Sequence, residues 1–390
     1  MLETSGFGDN MAKSIILTFI CSIAAFFPRP SWAESSADAA HQNLPAVSML
    51  DIFSNPLVKQ VVYDRVELRE INMRADGASE LSQDWLNGNR KDWAIEFQRG
   101  GGNLIIAGVT RNDHELVDAG LRMFEWGFGR QNPTDGGFDE SADEFHSTSV
   151  FLVEVCRSLL ALKDKSNEFE GEMPRVDAMI PRIRFSAQWL LRSDVLGPGR
   201  QKDQPFTHRK WLLAFSLGGA AKLSGDQELA SAAVRFANEG IQLQQEDGRN
   251  PERGGFDVSY EMVDALVGGY YYTTLSPKES SELMAKVQHM IDKTCQWESR
   301  RILGNDQIDP SGSTRIGIEH MHNGQLKQVN YPEVIQAFIA AARICQKSEY
   351  TETARRLARG QGWLPADRNG EATEGKGISS SQPSFKTAGP

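Results

Sequence analysis

Apolar residues recur every three to four positions along most of the chain from about residue 52 onward, a period that predicts amphipathic α-helices. Period-two alternation is rare, and it predicts only a short strand at 104–109 and a hairpin within 301–318. The pattern therefore predicts an all-α fold with few short strands. The predicted helices cover residues 116–126, 149–162, 183–191, 211–223, 229–243, 262–273, 280–297 and 332–345.

The predicted helices are of two kinds. One kind has a charged face, as in 280–297, whereas the other is apolar on every side, as in 211–221. A helix that is apolar all round is buried all round, so the two kinds suit the outer and inner rings of a barrel. We therefore expect an (α/α) toroid of six or seven helical hairpins, as a complete or incomplete barrel. Its apolar inner helices begin near residues 146, 208, 260 and 331.

The N-terminus has the composition of a secretory signal. Lys13 precedes an apolar run at 15–27, and Ser31-Trp32-Ala33 has the small-x-small pattern of a cleavage site. We expect export to a periplasm or to the exterior, without stable membrane insertion after cleavage. The predicted segments are a signal peptide at 1–33 (with Met11 as an alternative start after an upstream extension), a flexible leader at 34–50, the toroid catalytic domain at 51–363 and a disordered tail at 364–390.

Charge and motifs narrow the range of ligands. The formal net charge is −10, which disfavours generic binding to nucleic acid or anionic membranes. No Walker A pattern and no strand-linked glycine fingerprint indicates a nucleotide. We predict no cofactor and no metal, because the pair His320 and His322 lacks a clear third ligand. An acidic ligand would need a local cluster of arginine and lysine side chains.

The inner helices of such a barrel run in one direction, so their N-termini meet at one mouth. Helix N-termini carry partial positive charge and free N–H groups, which favour bound carboxylates. Two interpretations of these entrances stay open: a catalytic funnel, or capping by Ser147, Thr207 and Ser259 with rings packed beside the caps. The rings and polar groups at the entrances are those of His146, His208, Arg209, Tyr260, Asn330 and Tyr331.

One tetrapeptide occurs twice, as Gly136-Gly137-Phe138-Asp139 and as Gly254-Gly255-Phe256-Asp257, each time after an Asp-Gly turn and a Gln, which are Gln131 and Gln245. Such self-similarity is typical of repeat architectures. These segments, with the entrances His146-Ser147-Thr148-Ser149 and His208-Arg209-Lys210-Trp211, resemble the (α/α) toroid polysaccharide lyases over about residues 90–345. The nearest group is the glucuronan and alginate lyases of polysaccharide lyase family 38.

The resemblance implies cleavage of a 4-linked polyuronate by β-elimination. That reaction needs a neutralised carboxylate, a base for the C5 proton and an acid for the leaving oxygen. The resemblance implies proton transfer by Tyr260, with Arg253 favouring its phenolate, and His208 or His146 as base or carboxylate partner. The expected substrate-binding residues are Asn250, Arg209, Asn330, Tyr331, Arg315, His322 and Trp211.

Two other functions remain compatible with the sequence. A glycoside hydrolase on the same toroid would use two carboxylates, and Asp139 and Asp257 are the candidates. The same aspartates would also suit helix caps or turns. The other alternative is a non-catalytic periplasmic glycan-binding protein, because a fold does not fix a function.

Overall fold

The computed structural model describes residues 44–68, 71–139, 141–320 and 324–365. These residues are mostly helical, and the β pairing among them consists of isolated bridges. The all-α prediction is therefore confirmed. The helices are α1 (Met49–Phe53), α2 (Pro56–Val58), α3 (Glu80–Leu86), α4 (Gly100–Arg111), α5 (His114–Phe128), α6 (Glu144–Lys163), α7 (Met173–Leu190), α8 (Ser193–Asp203), α9 (His208–Ser224), α10 (Gln227–Leu243), α11 (Val258–Thr274), α12 (Pro277–Ser299), α13 (Tyr331–Cys345) and α14 (Ser348–Gly360).

Helices that follow each other along the chain pack as hairpins: α4 with α5, α6 with α7, α9 with α10, α11 with α12, and α13 with α14. The first members also contact one another in the order α4, α6, α9, α11, α13, and α1 contacts both α13 and α4. Most residues of α9 and α11 are buried, whereas α10 and α14 bury one face only. The two predicted kinds of helix are both present.

The helices α6, α9, α11 and α13 begin within two residues of the four predicted starts. α11 begins where it does because Asp257 accepts hydrogen bonds from the backbone N–H groups of Ser259 and Tyr260, each at 3.0 Å. The proposed capping residues do not cap: Ser147 and Ser259 lie inside helices, and Thr207 donates its hydroxyl hydrogen bond to the carbonyl of Pro251 at 2.6 Å. Side-chain capping by Ser147, Thr207 and Ser259 therefore does not explain the rings at these entrances.

The strand predicted at 104–109 is wrong, because these residues belong to α4. Their β-branched side chains suggest a strand, yet they are buried on all sides of a helix that contacts both α5 and α6. A close approach selects glycine here: a Cβ on Gly101 would lie 2.9 Å from the carbonyl oxygen of Gly120 in α5. The hairpin predicted within 301–318 reduces to one antiparallel bridge between Ile302 and Ile308.

The structural repeat is a turn rather than the tetrapeptide. Gln131 donates from Nε2 to the carbonyls of Gly136 and Arg182 and to Ser186 Oγ. Gln244, not the predicted Gln245, makes the matching bonds to the carbonyls of Gly248 and Met290 and to Thr294 Oγ1.

Gly136 and Gly248 are the equivalent glycines. They have φ of 90° and 98°. A Cβ on Gly136 would lie 2.6 Å from a carbonyl oxygen of α7, and one on Gly248 would lie 2.4 Å from a carbonyl oxygen of α12, so both positions require glycine. The second tetrapeptide begins six residues after Gly248, so the two tetrapeptides occupy different places in the fold.

Part of the segment predicted as a flexible leader is packed against a helix. The hydroxyl of Tyr272 in α11 donates to the carbonyl of Pro45 at 3.0 Å. The signal peptide at 1–33 and residues 366–390 of the tail lie outside the described residues. Helix α6 is long and apolar enough to span a membrane, but most of it is buried inside the protein, as is typical of a core helix.

Candidate active site

The starts of α9 and α11 place His208 against Tyr260. Their ring centres are 4.1 Å apart with an interplanar angle of 31°. Nδ1 of His208 lies 3.0 Å from Oε2 of Glu252, and both of these side chains are buried. Glu252 therefore fixes the orientation of the imidazole, while Tyr260 packs on its face.

Two cations from the loop before α13 cover the ring of Tyr260. Cζ of Arg315 lies 4.1 Å and Nζ of Lys327 lies 3.7 Å from the ring centre. Arg315 also donates from Nη1 to Glu252 Oε1 at 3.3 Å, and Lys327 Nζ is 3.9 Å from Asp257 Oδ1. The loop thus adds positive charge beside a histidine, a tyrosine and a glutamate.

Arg253 stands at the outer edge of this cluster. Its backbone is left-handed, with φ of 52°, which costs a non-glycine residue about 1–3 kcal/mol and is often found at functional sites. The backbone N–H of Arg253 donates to the carbonyl of Pro205 at 2.8 Å and holds the turn. Its side chain is about half exposed and is paired with Glu319. Arg253 therefore presents a guanidinium at the surface of the cluster.

A single aromatic ring gathers three arginines. The guanidinium carbons of Arg209, Arg253 and Arg315 lie 4.5, 5.2 and 5.9 Å from the ring centre of Phe206. The ring of His208 lies beside it at 5.7 Å. Any two of these guanidinium carbons are therefore at most about 12 Å apart. Such a group suits a ligand that carries carboxylates.

His146 lies on the Arg209 side of the site. Burial, and then the charge of Arg209, lowers the pKa of His146 well below its usual range. Nδ1 of His146 and Nε of Arg209 are buried and have no hydrogen-bond partner among the described residues. Nη1 of Arg209 donates to Asp203 at 2.6 Å. His146 is therefore a neutral imidazole with one buried ring nitrogen unpaired among the described residues.

The ionisation of the cluster is set mainly by burial. Burial raises the pKa of Glu252 to about 7, against the opposing charge of Arg315. Burial, and then the charges of Arg209 and Arg315, lowers the pKa of His208 well below its usual range. Burial also lowers the pKa of Lys327 to about 8, although Asp257 opposes this. Near neutral pH the site therefore holds a neutral imidazole and two groups close to titration.

The pKa of Tyr260 shifts in the direction opposite to the one expected from a nearby Arg253. Burial raises the pKa of Tyr260, and the charge that opposes this rise comes from Arg315. The phenol of Tyr260 is therefore kept protonated. A protonated phenol is suited to give a proton to a leaving oxygen rather than to take one.

The structure brings together Tyr260, His208, His146, Arg253, Arg209 and Arg315, whereas Asn250 and Trp211 lie in other surroundings. Asn250 is 1% exposed and donates from Nδ2 to Glu261 and Thr294. Trp211 is fully buried in the core, where no sugar ring can stack on it.

The remaining predicted residues lie around the start of α13 or beyond the described chain. The hydroxyl of Tyr331 accepts a hydrogen bond from the backbone of Ile308 at 3.1 Å. Asn330 is exposed, and its backbone donates to Ser259 Oγ at 3.1 Å, beside the start of α11. His322 lies outside the described residues. Of the two described residues, Asn330 presents an exposed side chain next to a helix entrance of the cluster and Tyr331 does not.

The two aspartates of the hydrolase alternative have other partners. Asp257 is fully buried, caps α11 through Oδ1, and accepts from Ser313 Oγ through Oδ2 at 2.9 Å. Asp139 is exposed and accepts both of its side-chain hydrogen bonds from Asn132. Asp257 is therefore closed to a substrate, and Asp139 alone does not provide the two carboxylates that a hydrolase needs.

Sequence reasoning missed three residues of the cluster: Glu252, Glu319 and Lys327. Glu252 directly precedes Arg253, which is one of the predicted residues, and Lys327 lies just before the predicted helix entrance at 331. The same entrance argument that selected Asn330 could therefore have selected Lys327. Nothing in the sequence indicates that Glu252 is buried against His208, because that contact joins residues 44 positions apart.

Comparison of the chain with protein-family models, with curated proteins and with solved structures finds no significant match. The function is therefore argued from the residues of the site.

Proposed function

We propose that this protein is a polysaccharide lyase that cleaves a 4-linked polyuronate, such as glucuronan or alginate, by β-elimination. We propose further that its hairpins form an (α/α) toroid with the site at one mouth. The contacts of α4, α6, α9, α11 and α13 in sequence order, with α1 between the last and the first, support a ring. The meeting of residues from the starts of α9 and α11 supports a shared mouth.

One observation carries the proposal. A neutral histidine, oriented by a buried glutamate, packs against a protonated tyrosine under two cations. β-Elimination needs a base, an acid and positive charge next to a carboxylate, and this cluster supplies all three in contact. The burial of Asp257, whose two oxygens accept internal hydrogen bonds, makes the hydrolase a weaker candidate.

The proposed roles follow from the ionisation of each group. Arg315 and Arg253 bind the uronate carboxylate and stabilise the charge that develops on it when the C5–H bond breaks. His208 takes the C5 proton at Nε2. The electron pair of the C5–H bond forms the C4–C5 double bond, and the bond from C4 to the glycosidic oxygen breaks. Tyr260 gives its hydroxyl proton to the departing oxygen.

Glu252 decides which nitrogen of His208 is basic. A neutral imidazole carries one proton, and a carboxylate at Nδ1 requires that proton to lie on Nδ1. Nε2 is then free to accept the C5 proton. If Glu252 is protonated, it donates to Nδ1, and the ring proton must move to Nε2. The base is therefore competent only when Glu252 is ionised.

The proposal is tested by incubating the purified protein with a panel of polyuronates and measuring two signals together. One is the ultraviolet absorbance of the C4–C5 double bond, and the other is the number of new reducing ends. A lyase produces both in proportion on at least one polymer. Reducing ends without absorbance would replace the lyase with a hydrolase, and saturable binding without either signal would replace it with a binding protein.

A further inference from the structure

We propose that the carboxylate of Glu319 occupies, in the free protein, the position that a substrate carboxylate takes between Arg253 and Arg315. The side chain would then be an internal competitor that substrate displaces. This inference rests on the proposed function, because the proposed substrate is the carboxylate polymer that these arginines bind.

The geometry shows one carboxylate bridging two guanidinium groups. Oε1 of Glu319 accepts from Nη1 of Arg253, and Oε2 accepts from Nε of Arg315 at 2.7 Å. Arg315 also lies over Tyr260, so the bridged position adjoins the groups proposed to move protons. A uronate carboxylate has the same planar shape and the same charge as the end of a glutamate side chain.

The arginines have other supports, so Glu319 is not needed to hold them. Arg315 is also bonded to Glu252 and packs on Tyr260. The backbone of Arg253 is fixed by the carbonyl of Pro205, and its guanidinium lies over Phe206. Removal of the Glu319 carboxylate should therefore leave two guanidinium groups in place and available to an external anion.

Displacement of Glu319 requires only a side-chain rotation. Its backbone N–H donates to the carbonyl of Arg315 at 2.9 Å, and its carbonyl accepts from the N–H of Lys327 at 2.8 Å, so the main chain is anchored. The side chain is 23% exposed and that of Arg253 is 48% exposed. Water therefore reaches the pair and can solvate the displaced carboxylate, which keeps the cost of exchange small.

The test measures the binding of D-glucuronate, a probe with no glycosidic bond to cleave, by titration calorimetry at 0.15 M salt. Glu319→Gln and Glu319→Ala should each lower the Kd by about three- to tenfold. Arg253→Gln should raise the Kd. Thermal melting of each variant confirms that it is folded.

Glu125→Gln is the matched control for the lost negative charge. Glu125 also forms two bonds to one arginine, to Nε and Nη2 of Arg175 at 2.7 and 2.8 Å, on another part of the surface. The Kd of Glu125→Gln for glucuronate should equal that of the wild type, because charges farther away than about 8 Å are screened at this salt concentration. Glucose, which lacks the carboxylate, should show no change among the variants.

The inference is overturned if folded Glu319 variants bind glucuronate more weakly than the wild type or equally well, or if no variant binds it. Weaker binding would make Glu319 a positioning residue for the arginines. The proposed function is tested separately. If the Glu319 variants bind glucuronate more tightly but polyuronates give no double-bond absorbance, the carboxylate-binding position is supported and the lyase activity is refuted.

Discussion

Replacement of Glu252 by Gln is the perturbation with the most specific expected result. Glutamine keeps the shape of glutamate, but it can either accept a hydrogen bond from Nδ1 of His208 or donate one to it. It therefore no longer selects the Nδ1–H form of the ring. It also removes the charge from the contact with His208 at 3.0 Å and from the contact with Arg315 at 3.3 Å.

The magnitude follows from the loss of one charge-assisted hydrogen bond in a buried site. Such a bond contributes about 1.5–3 kcal/mol, and each 1.36 kcal/mol in the barrier changes a rate tenfold. We therefore expect kcat to fall by about 10- to 100-fold. KM should change by less than about threefold, because Arg253 and Arg315 still bind the substrate.

The pH profile separates this role from a structural one. Because burial raises the pKa of Glu252 to about 7, wild-type kcat should increase as the pH rises through about 7, where the carboxylate forms. In Glu252→Gln that increase should disappear. The assay is the initial rate of double-bond absorbance from pH 5 to 9, on the polymer that responds best.

Asp203→Asn serves as the control. Asp203 is a buried carboxylate at the same entrance that bonds to Arg209 and not to His208. This variant should keep the increase through about pH 7. The reasoning is refuted if folded Glu252→Gln keeps more than half of the wild-type kcat, or if its rate still rises through pH 7.

Three further predictions concern the surroundings of the site. Burial lowers the pKa of Lys327 to about 8, so wild-type activity should decrease as the pH rises through 8. In Lys327→Met this decrease should be absent and the affinity for polyuronate should be lower, as measured by kinetics across pH. Burial raises the pKa of Glu298 well above its usual value, so this group's contribution to stability is full below about pH 4 and is lost as the pH rises. In denaturant titrations at pH 5, 6 and 7, the unfolding free energy of the wild type should therefore decline with pH, and Glu298→Gln should reduce that slope by up to about 1.4 kcal/mol per pH unit. An unchanged slope would contradict this. Asn250→Ala removes the hydrogen bonds that Nδ2 of Asn250 donates to the buried Glu261 and Thr294 side chains, so it should cost about 1–3 kcal/mol of stability in the same titrations while the KM stays at the wild-type value.

The starts of the inner helices could be predicted because they depend on local signals. The apolar run from Trp211 onward and Pro332 mark α9 and α13 in the sequence itself. Helix α4 could not be predicted, because Ile105 and Ile106 favour strands by their shape, and only contacts with other helices make them helical. Here tertiary packing decides against local propensity.

The predicted residues of the candidate site lie at helix entrances, as His208 and Tyr260 do, or in the loops that lead to them, as Arg253 and Arg315 do. His208 and Tyr260 were found because each begins an apolar helix. Asn250 and Trp211 are predicted to bind substrate, but both side chains are buried. Sequence spacing does not show where a side chain points when it lies on a loop or on a helix that is apolar on every side. Glu252 was missed for the converse reason, because its burial depends on a contact between distant parts of the chain.

The most direct test of the account is the rate of double-bond absorbance for the wild type and for Tyr260→Phe, side by side on the same polyuronate. Phenylalanine keeps the ring that packs against His208 and under Arg315, and it removes only the hydroxyl. The account predicts absorbance from the wild type and a loss of about 100-fold or more in the variant. Equal rates for the two folded proteins, or no absorbance from the wild type on any polyuronate, would contradict it.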